Sequence, residues 1–460
     1  MERFTLAQAA AWTKGEARGT AELTAVSTDS RQIPTEALFL PIRGERFDAH
    51  DFIAKAIENG AAAVVSHRQN EEYPVPALYV ENTSQALLDL AGGYREMCGG
   101  KVVGVTGSVG KTTTKELLYA VLKQKFNAQK TEGNLNNEVG LPLTLLRMMR
   151  DTEVMVAEMG MNHFREISRM TAAARPDIAV ITNIGTSHFE FLGTREGICK
   201  AKLEILEGLQ KDGYAVLCGD EPLLWDKRAQ LGCRVVTYGM ENRECDLTAC
   251  LHDDGTFDII NNSLPAASLP AGGRFTAKLS IPGAHNVLNA LAAAVVGLLL
   301  GETPEQIAAG LQTYEASGLR QNIYEQDGYQ IYADCYNASP DAMEATLAVL
   351  GTMAPEGRRF AVLGSMLELG GYAEEGHRRA GRAAARYADA LYAYGPDADA
   401  MVAGAKEKGM DRAYAFADQA ALVAALRQDA KKGDALLFKG SRGMRMEQAL
   451  KLFLGEDVEE

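Results

Sequence analysis

The sequence predicts an α/β protein of three domains, with parallel sheets that carry functional groups at the ends of their strands. The 460 residues are too many for one hydrophobic core, since a domain usually takes roughly 100–200 residues. Short apolar runs alternate with helical segments, as they do in βαβ units. Breaks at Cys98-Gly99-Gly100 and before Gly318 predict an N-terminal domain (1–98), a central domain (99–316) and a C-terminal domain (317–460).

The composition is that of a globular protein in a reducing compartment. Hydrophobic residues make up 47% of the chain and charged residues 23%, while the net charge of −14 argues against nucleic-acid or anionic-membrane partners. The seven cysteines are scattered without a CxxC pair, which predicts free thiols and no zinc site. The start of the chain lacks an apolar run long enough for a signal peptide, and the most apolar run is too short to span a bilayer. We therefore expect a cytoplasmic protein, and we expect it to be a monomer.

One motif dominates the central domain. Residues Lys101–Glu116 read KVVGVTGSVGKTTTKE, a valine-rich strand followed by the glycine loop Gly107–Gly110 and then by helical spacing of apolar residues. A strand, a glycine loop and a helix in this order form a P-loop, a cradle for a nucleoside triphosphate. Lys111 would contact the outer phosphates and Thr112 would offer a hydroxyl to Mg²⁺. Val105 replaces the usual first glycine, and an ordinary strand-to-helix turn is the alternative interpretation.

Further polar residues follow strands of the same domain. Glu158 ends the apolar run EVMVAE, and His188 follows a second apolar run at 178–181. Ligands of open α/β sheets collect at the carboxyl ends of strands, so both side chains should lie near the triphosphate. A carboxylate there is a natural Mg²⁺ ligand, whereas a lone histidine is more often structural. Asn289 lies in a predicted buried helix and needs a partner, for which a ligand base is one candidate.

The two outer domains offer weaker signals. In the N-terminal domain, residues 28–31 and 43–50 gather turn formers and basic groups, which alone are more often solvated turns than a site. The C-terminal domain alternates strands and helices in the manner of a Rossmann-like, doubly wound sheet. One of its strands ends at Asp334, and its last strand runs into the cationic loop 439–443, which suits a carboxylate or a phosphate.

Taken together and in this order, these residues resemble the Mur ligases, the ATP-dependent amide-bond-forming enzymes of peptidoglycan synthesis. The resemblance covers essentially the whole chain, and the family's loop lacks the first glycine, so Val105 fits it. Residues 131–142, 334–341 and 439–445 are similar to the family member that adds D-alanyl-D-alanine to UDP-N-acetylmuramoyl-tripeptide. The Asp-Asn-Pro-Arg motif of the diaminopimelate-adding member is absent, and Ser365 stands where the dipeptide-adding member usually has Asp.

The resemblance implies a reaction in which ATP phosphorylates a substrate carboxylate and an amine then displaces phosphate. It implies ATP and two Mg²⁺ ions as cofactors, with the metals at Thr112, Glu158 and His188. Lys202 falls where several family members carry a lysine carbamate, although an unmodified lysine could contact phosphate instead. The catalytic residues implied are Lys111, Glu158, His188 and Lys202. The ATP contacts implied are Thr106, Gly107, Ser108, Val109, Gly110, Lys111, Thr112, Thr113, Asn286, Asn289, Arg320 and Asp334.

The two other substrates are assigned by the same resemblance. The UDP-substrate would contact Ser30, Arg31, His50, Asn134, Asn136 and Asn137, and the dipeptide would contact Asn337, Lys439, Ser441 and Arg442. Two alternatives stay open: another Mur or folylpolyglutamate-type ligase, and a non-enzymatic P-loop regulator that binds ATP. Acidic and imidazole groups at two separate strand ends argue against a simple binder, because binding alone needs no second metal site.

Overall fold

The structure is a computed structural model that describes residues 1–44, 47–315, 318–354 and 356–456. Two predictions fall partly outside these ranges. The boundary between 316 and 317 is one, and the loop 43–50 is the other, because Glu45 and Arg46 are not described. The described residues form three α/β domains with separate sheets, so the predicted fold class is confirmed.

The N-terminal domain is built on a five-stranded sheet of order β2-β7-β6-β5-β4 and a two-stranded ribbon of β1 and β3. Its strands are β1 (Phe4–Thr5), β2 (Glu16–Arg18), β3 (Glu22–Leu23), β4 (Ala25–Ser27), β5 (Ala37–Phe39), β6 (Ala63–Ser66) and β7 (Ala77–Tyr79). Its α-helices are α1 (Leu6–Thr13), α2 (Ile53–Glu58) and α3 (Thr83–Cys98), with a 3₁₀ turn at Ala49–Phe52. Helix α3 begins at the Asn82 cap and buries its apolar side.

The central domain holds a nine-stranded sheet of order β16-β15-β14-β13-β12-β11-β8-β10-β9. The strands are β8 (Lys101–Thr106), β9 (Ala128–Lys130), β10 (Val154–Glu158), β11 (Ile178–Ile181), β12 (Tyr214–Cys218), β13 (Arg234–Gly239), β14 (Leu247–Leu251), β15 (Thr256–Asn261) and β16 (Arg274–Lys278). The pairs from β9 to β14 are parallel, while β15 and β16 extend the sheet in antiparallel fashion.

Helices cover the central sheet. They are α4 (Lys111–Leu122), α5 (Gly140–Leu145), α6 (Glu166–Ala174), α7 (Phe189–Leu192), α8 (Arg195–Leu203), α9 (Pro222–Lys227), α10 (Ala284–Leu299) and α11 (Pro304–Gln312). Short 3₁₀ segments lie at Glu204–Gly208 and Arg228–Gln230. Among the described residues, none of the helices combines the length and apolar character needed to cross a bilayer.

The C-terminal domain has a six-stranded sheet of order β17-β18-β22-β19-β20-β21, parallel except for β17. Its strands are β17 (Asn322–Gln326), β18 (Tyr329–Asp334), β19 (Arg359–Gly364), β20 (Ala390–Tyr394), β21 (Ala413–Phe416) and β22 (Ala435–Lys439). Its helices are α12 (Pro340–Leu350), α13 (Ala373–Tyr387), α14 (Ala398–Glu407), α15 (Gln419–Asp429) and α16 (Met446–Leu454), with 3₁₀ turns at Gly370–Tyr372 and Arg442–Met444.

The hydrophobic cores do not follow the three domains one to one. A single cluster of buried side chains runs from the N-terminal domain into the central domain, through residues of α3 that pack on the central helices. Buried Tyr94 of α3 donates a hydrogen bond to the carbonyl of Met148, 2.8 Å away. The N-terminal domain also has a smaller cluster of its own around Phe39 and Ile53. The C-terminal domain shares neither of these and has its own clusters, one on each face of its sheet. The predicted division at 98 and 99 follows the last residue of α3 and stays a prediction.

Candidate active site

The P-loop follows β8, an interior strand of the central sheet and the third strand from its β9 edge. Strand β8 pairs with β10 on one side and with β11 on the other, with Val105 opposite Glu158 and Thr106 opposite Ile181. These parallel pairs end at the same edge, so the loop after β8 meets the ends of both neighbouring strands. The predicted convergence of Glu158 with the P-loop follows directly from this register.

Two glycines of the loop are required by close contacts. Gly110 has a φ of 81°, and a Cβ there would lie 2.6 Å from Oδ1 of Asn289. A Cβ on Gly107 would lie 1.8 Å from the Oγ1 of Thr182. Since non-glycine residues disfavour positive φ and since both spaces are filled, only glycine lets the loop pack against the neighbouring elements.

The loop is braced by Asn183, which follows β11 and was not predicted as a site residue. Its Oδ1 accepts hydrogen bonds from the amides of Ser108 (3.1 Å) and Val109 (2.9 Å). Its Nδ2 donates to the carbonyl of Val109 at 3.0 Å, and the hydroxyl of Thr182 donates to the same carbonyl at 2.7 Å. The sequence signal for Asn183 was the polar pair Thr182-Asn183 directly after the apolar run 178–181. That run forms β11, which lies next to the P-loop strand β8 in the sheet.

Lys111 begins α4 and is held against the loop. Its Nζ donates to the carbonyl of Gly107 at 2.8 Å and approaches that of Ser108 at 3.4 Å. Burial lowers the pKa of Lys111, and the charge of Glu158 opposes that shift. The N-cap residue of α4 is Gly110, which has no side chain to cap the helix, so the first amides of α4 are available to an anion.

Glu158 and Thr112 form an oxygen-rich group that fits Mg²⁺. The hydroxyl of Thr112 donates to Oε1 of Glu158 at 3.2 Å, and Nδ2 of Asn136 donates to the same oxygen at 2.8 Å. The other oxygen, Oε2, is buried without a hydrogen-bond partner, and Nζ of Lys115 lies 3.8 Å from it. That ion-pair distance is too long for a hydrogen bond. A hydroxyl beside a buried carboxylate oxygen is the hard donor set that Mg²⁺ prefers.

The protein supplies only part of a metal's coordination. Among the described residues, no group of three or more His, Cys, Asp or Glu side chains is arranged to hold an ion. Mg²⁺ commonly keeps only one or two protein carboxylates and completes its octahedron with phosphate oxygens and water. The group around Glu158 therefore fits a metal that arrives with a nucleotide.

His188 lies where the central and C-terminal domains meet. It immediately precedes α7, has a φ of 60°, and its Nδ1 is 2.7 Å from Oε2 of Glu368. A carboxylate oxygen can only accept, so Nδ1 carries the proton. Burial lowers the pKa of His188. Glu368 was not predicted as a site residue, because it reaches His188 from a loop 180 residues later.

Lys202, on α8, is almost completely buried, at 2% exposure. Within the described part of the chain, its ammonium group makes no hydrogen bond or ion pair with a carboxylate. Burial lowers the pKa of Lys202 well below its usual range, and the charge of Lys111 lowers it further. The Lys202 charge also contributes to the lowered pKa of His188. Lys202 is therefore close enough to Lys111 for that charge to lower its own pKa, and close enough to His188 to lower the pKa of the imidazole.

The predicted adenine contacts lie on α10. Asn289 accepts from the hydroxyl of Thr114 at 3.2 Å and lines the cavity described below. Asn286 is fully buried, and its Nδ2 donates to the carbonyl of Pro282 at 2.7 Å and to Gln321 at 2.8 Å. Both amide hydrogens of Asn286 are thus used within the protein, while Asn289 faces the open space.

The C-terminal domain contributes a buried ion pair. Asp334, at the end of β18, pairs with Nζ of Lys439, which also donates to the carbonyl of Asn337 at 3.0 Å. The guanidinium of Arg320 stacks 3.8 Å from the ring centre of Tyr336. His285 lies beside this group, and burial lowers the pKa of His285 to about 4. At neutral pH this imidazole is uncharged and can accept or donate a hydrogen bond.

One cavity of about 570 Å³ brings most of these side chains together. Its walls come from the central and C-terminal domains. Among the predicted residues, they include Ser108, Val109, Gly110, Lys111, Thr112, Thr113, Asn136, Asn137, Glu158, His188, Asn289, Arg320, Asp334, Asn337 and Lys439. The described lining does not include Thr106, Gly107, Asn134, Lys202, Asn286, Ser441 or Arg442. A volume of this size suits a small-molecule ligand such as a nucleotide.

The residues predicted for the UDP-substrate divide between the central and the N-terminal domain, and Asn134 of the central domain lies outside the described cavity lining. Asn136 and Asn137 lie at the cavity, beside Glu158 and at the start of α5. The remaining residues lie in the N-terminal domain, away from the described cavity lining. There Arg31 pairs with Asp29 at 2.7 Å and is 85% exposed, while the carbonyl of Ser30 accepts from Asn59. The structure brings Asn136 and Asn137 to the P-loop rather than to this outer loop.

Buried His50 is the central member of a hydrogen-bonded chain in the N-terminal domain, whose other members, Asp48 and His67, are half-buried. The carboxylate of Asp48 accepts from its Nδ1, at 2.5 Å, which leaves Nε2 to accept from Nδ1 of His67 at 2.8 Å. Burial lowers the pKa of His50.

Two residues predicted for the dipeptide have other partners. The hydroxyl of buried Ser441 accepts from the amide of Leu367 at 2.9 Å. Arg442 is 56% exposed and pairs with Glu447 at 2.6 Å. Asn337 and Lys439 face the cavity instead.

A P-loop on an interior strand of a mostly parallel sheet, a carboxylate suited to Mg²⁺ and a Rossmann-like domain over the same cavity define a P-loop nucleotide-dependent enzyme of three domains. Family models match three successive parts of the chain: "Mur ligase family, catalytic domain" at 22–95, "Mur ligase middle domain" at 105–297 and "Mur ligase, glutamate ligase domain" at 319–442. The chain belongs to the Mur ligase family. The resemblance seen in the sequence is thereby confirmed.

Individual relatives are similar over nearly their full length. UDP-N-acetylmuramoyl-tripeptide–D-alanyl-D-alanine ligase of Bacillus subtilis (strain 168) is 40% identical, over 93% of this chain and 92% of that protein. The Escherichia coli (strain K12) protein of the same name is 34% identical, over 98% of each chain. A crystal structure of MurF from Acinetobacter baumannii has a TM-score of 0.90 at 30% identity and covers 99% of this chain and 100% of that one. MurF from Thermotoga maritima, in complex with ADP, has a TM-score of 0.83 at 33% identity, with 94% and 97% covered.

Proposed function

We propose that this chain is an ATP-dependent ligase that joins D-alanyl-D-alanine to UDP-N-acetylmuramoyl-tripeptide through an acyl phosphate. The observation that carries the proposal is the cavity itself, in which the P-loop and Glu158 of one domain face Asp334 and Lys439 of another. A protein that only bound ATP would need the first set alone. The names of the similar proteins, which share 30% identity or more across nearly all of the chain, support the same substrates.

The proposed reaction has two transfers. The carboxylate of the tripeptide attacks the γ-phosphorus of ATP, the bond to the bridging oxygen breaks, and ADP leaves. The amine of D-alanyl-D-alanine, after loss of a proton, then attacks the acyl carbon, and the carbon–oxygen bond to phosphate breaks to release inorganic phosphate. Neither transfer requires a protein nucleophile, so the protein acts by placing and neutralising charge.

We assign each central residue a role that is consistent with its position. Lys111, at the start of α4, would hold the outer phosphates. Thr112 and Glu158 would hold one Mg²⁺ through hydroxyl and carboxylate oxygens, and His188 would hold a second near the acceptor carboxylate. When bound, these ions would supply positive charge between the phosphates and the carboxylate.

The same cavity accounts for the nucleoside and the acceptor. Asn289 would contact adenine, with Asn286 as the buried support that orients it, since Nδ2 of Asn289 lies 3.4 Å from Oδ1 of Asn286. Arg320 and Asp334 would reach ATP from the C-terminal side. Asn136 would lie at the reacting end of the acceptor, because its amide already touches Glu158.

The uridine diphosphate end of the acceptor would lie at the N-terminal domain, and the dipeptide would lie at the C-terminal domain. Ser30 and Arg31 would take the uridine diphosphate, for which the exposed guanidinium of Arg31 supplies positive charge. His50, whose two ring nitrogens are both hydrogen-bonded within the protein, would support that end of the site without touching the ligand. On the C-terminal side, Asn337 and Lys439 would face the dipeptide. Ser441 and Arg442 would support that end of the site from the loop behind it.

Carbamylation of Lys202 is also proposed. Carbon dioxide adds only to an uncharged amine, and the burial that lowers the pKa of Lys202 favours that form. The product would be an anion buried near Lys111 and His188, which would remove the unfavourable repulsion between two lysine charges.

The seven free thiols support a reducing compartment, the cytoplasm.

A substrate panel tests the proposal. We expect phosphate release from ATP only when UDP-N-acetylmuramoyl-tripeptide and D-alanyl-D-alanine are both present. The panel should include the lysine and the diaminopimelate tripeptides, free D-alanine, and glutamate with a folate. Equal release with glutamate and folate would point to a folylpolyglutamate-type ligase. No release with any pair, despite ATP binding, would point to a non-enzymatic regulator, and either result would overturn the proposal.

A further inference from the structure

Two carboxylates of the C-terminal domain hydrogen-bond to the loop that carries His188. Oδ2 of Asp341 accepts from the amide and the hydroxyl of Thr186, at 2.9 and 3.1 Å. Oε2 of Glu368 lies 2.7 Å from Nδ1 of His188, and the carbonyl of Glu368 accepts from the amide of Glu190 at 3.3 Å. These contacts exist only while the two domains are together, since each joins residues of different domains.

Both ends of the histidine contact have unfavourable backbone conformations. His188 has a φ of 60° and Glu368 a φ of 63°. Neither residue is glycine, so each conformation persists only because its surroundings impose it. Residues held in this way cluster at functional sites. Here two such residues, far apart in the sequence, meet each other through their side chains.

The loop of Glu368 is fixed within its own domain before it reaches across. The amide of Met366 donates to Nε2 of buried His377 at 2.8 Å, and the amide of Leu367 donates to the hydroxyl of Ser441 at 2.9 Å. Nδ1 of His377 is 2.6 Å from the carbonyl of Ala373, which leaves Nε2 as the acceptor. The Glu368 carboxylate is therefore presented on an ordered support.

We propose that Glu368 is a positioning residue that orients His188 for the reaction when the C-terminal domain closes. By accepting from Nδ1–H, Glu368 fixes one tautomer and one ring orientation. The lone pair is then on Nε2, the nitrogen left for a ligand in the cavity that His188 lines. Removing the hydrogen-bond partner of a functional histidine typically lowers ligand affinity or activity by about 10- to 100-fold. Domain closure would thereby complete the site, a step that rests on the proposed ligase function.

Kinetics of three variants test this role. We expect Glu368→Ala to lower kcat by about 10- to 100-fold, with KM for ATP and for D-alanyl-D-alanine within roughly threefold of the wild-type values. Glu368→Gln keeps an oxygen that can accept from Nδ1–H, so it should retain at least about a third of the wild-type kcat. Glu374→Ala is the matched control, because Glu374 is exposed and, among the described residues, its ion pair is with Arg378 of its own helix. Its kinetics should equal those of the wild type.

Two kinetic results would overturn the proposal. If Glu368→Ala raised KM for D-alanyl-D-alanine while kcat stayed unchanged, Glu368 would be a dipeptide contact. If Glu368→Gln lost as much kcat as Glu368→Ala, the carboxylate charge rather than the hydrogen bond would matter.

A spectroscopic readout separates this inference from the reaction itself. Histidine can be labelled with ¹⁵N and the His188 signal identified by comparison with His188→Gln, in protein bound to a non-hydrolysable ATP analogue. We expect the neutral Nδ1–H tautomer of His188 in the wild type and in Glu368→Gln, and a shift toward the Nε2–H tautomer in Glu368→Ala. An unchanged tautomer in Glu368→Ala would refute the positioning role. Failure of the substrate panel alone would leave this tautomer result standing and would refute only the ligase function.

Discussion

Asn183 offers a direct test of how the P-loop is kept ready for a nucleotide. Replacing it by alanine removes three hydrogen bonds to the loop, at 3.1, 2.9 and 3.0 Å. At about 0.5–1.5 kcal/mol net for each, the sum is roughly 1.5–4.5 kcal/mol. Because Asn183 is only half-buried, water can replace part of the lost hydrogen bonding in the variant. We therefore expect a net free-energy loss of about 1.5–2 kcal/mol. Because the lost bonds order the loop before binding, ATP affinity should fall by about 10- to 30-fold.

Calorimetric titration with a non-hydrolysable ATP analogue measures this change. Asn242→Ala is the matched control, since Asn242 is also half-buried and bonds to backbone of neighbouring loops, at 3.0 and 3.1 Å, but does not line the described cavity. The control should lower the unfolding temperature without changing the dissociation constant. The bracing role would be refuted by an affinity of Asn183→Ala within twofold of the wild type, or by an equal loss in both variants.

Three further predictions address single side chains. Lys111→Ala should lower turnover at least about a hundredfold with an unchanged unfolding temperature, and a rate within a few-fold of the wild type would contradict its assigned role. Lys202→Ala should lose activity that short carboxylic acids restore, whereas the lack of any rescue would argue against a carbamate. Glu302 is buried with neither carboxylate oxygen hydrogen-bonded, and burial raises its pKa from 4.5 to about 7. As pH rises above 4.5 the unfolded chain releases this proton first, so stability should fall until about pH 7, by about 3 kcal/mol. Glu302→Gln should abolish this fall in stability with pH. If the free energy of unfolding changed between pH 5 and pH 8 in the same way in the wild type and the variant, the proposed effect of Glu302 would be excluded.

Much of the fold could be predicted because its signals are local. The valine-rich run of β8 and the glycine loop lie within sixteen residues, Lys101–Glu116, and their order alone predicts a strand, a cradle and a helix. The shared core of the first two domains could not be predicted, since nothing in the sequence of α3 tells which surface its apolar side will meet. Packing partners are set by tertiary contacts, whereas periodicity reports only that a face is buried.

The candidate site shows the same limit at finer scale. Lys111 and Glu158 belong to strand ends, so their convergence follows from sheet geometry. Asn183 and Glu368 were missed because their importance lies in what they touch: two loop amides in one case and a histidine of another domain in the other. Sequence shows polar residues in loops, but a hydrogen bond across 180 positions leaves no local pattern.

The continuous core beneath the first two domains, set against the separate cores of the third, has a consequence for how the protein denatures. The N-terminal and central domains should melt in one cooperative transition, while the C-terminal domain, with its own apolar clusters, can melt in another. A ligand in the shared cavity binds only when both bodies are native, so it stabilises both at once. With saturating nucleotide and substrates, the two calorimetric transitions should therefore move closer together in temperature. The extent of this merging would measure how strongly ligand binding in the cavity couples the C-terminal domain to the other two.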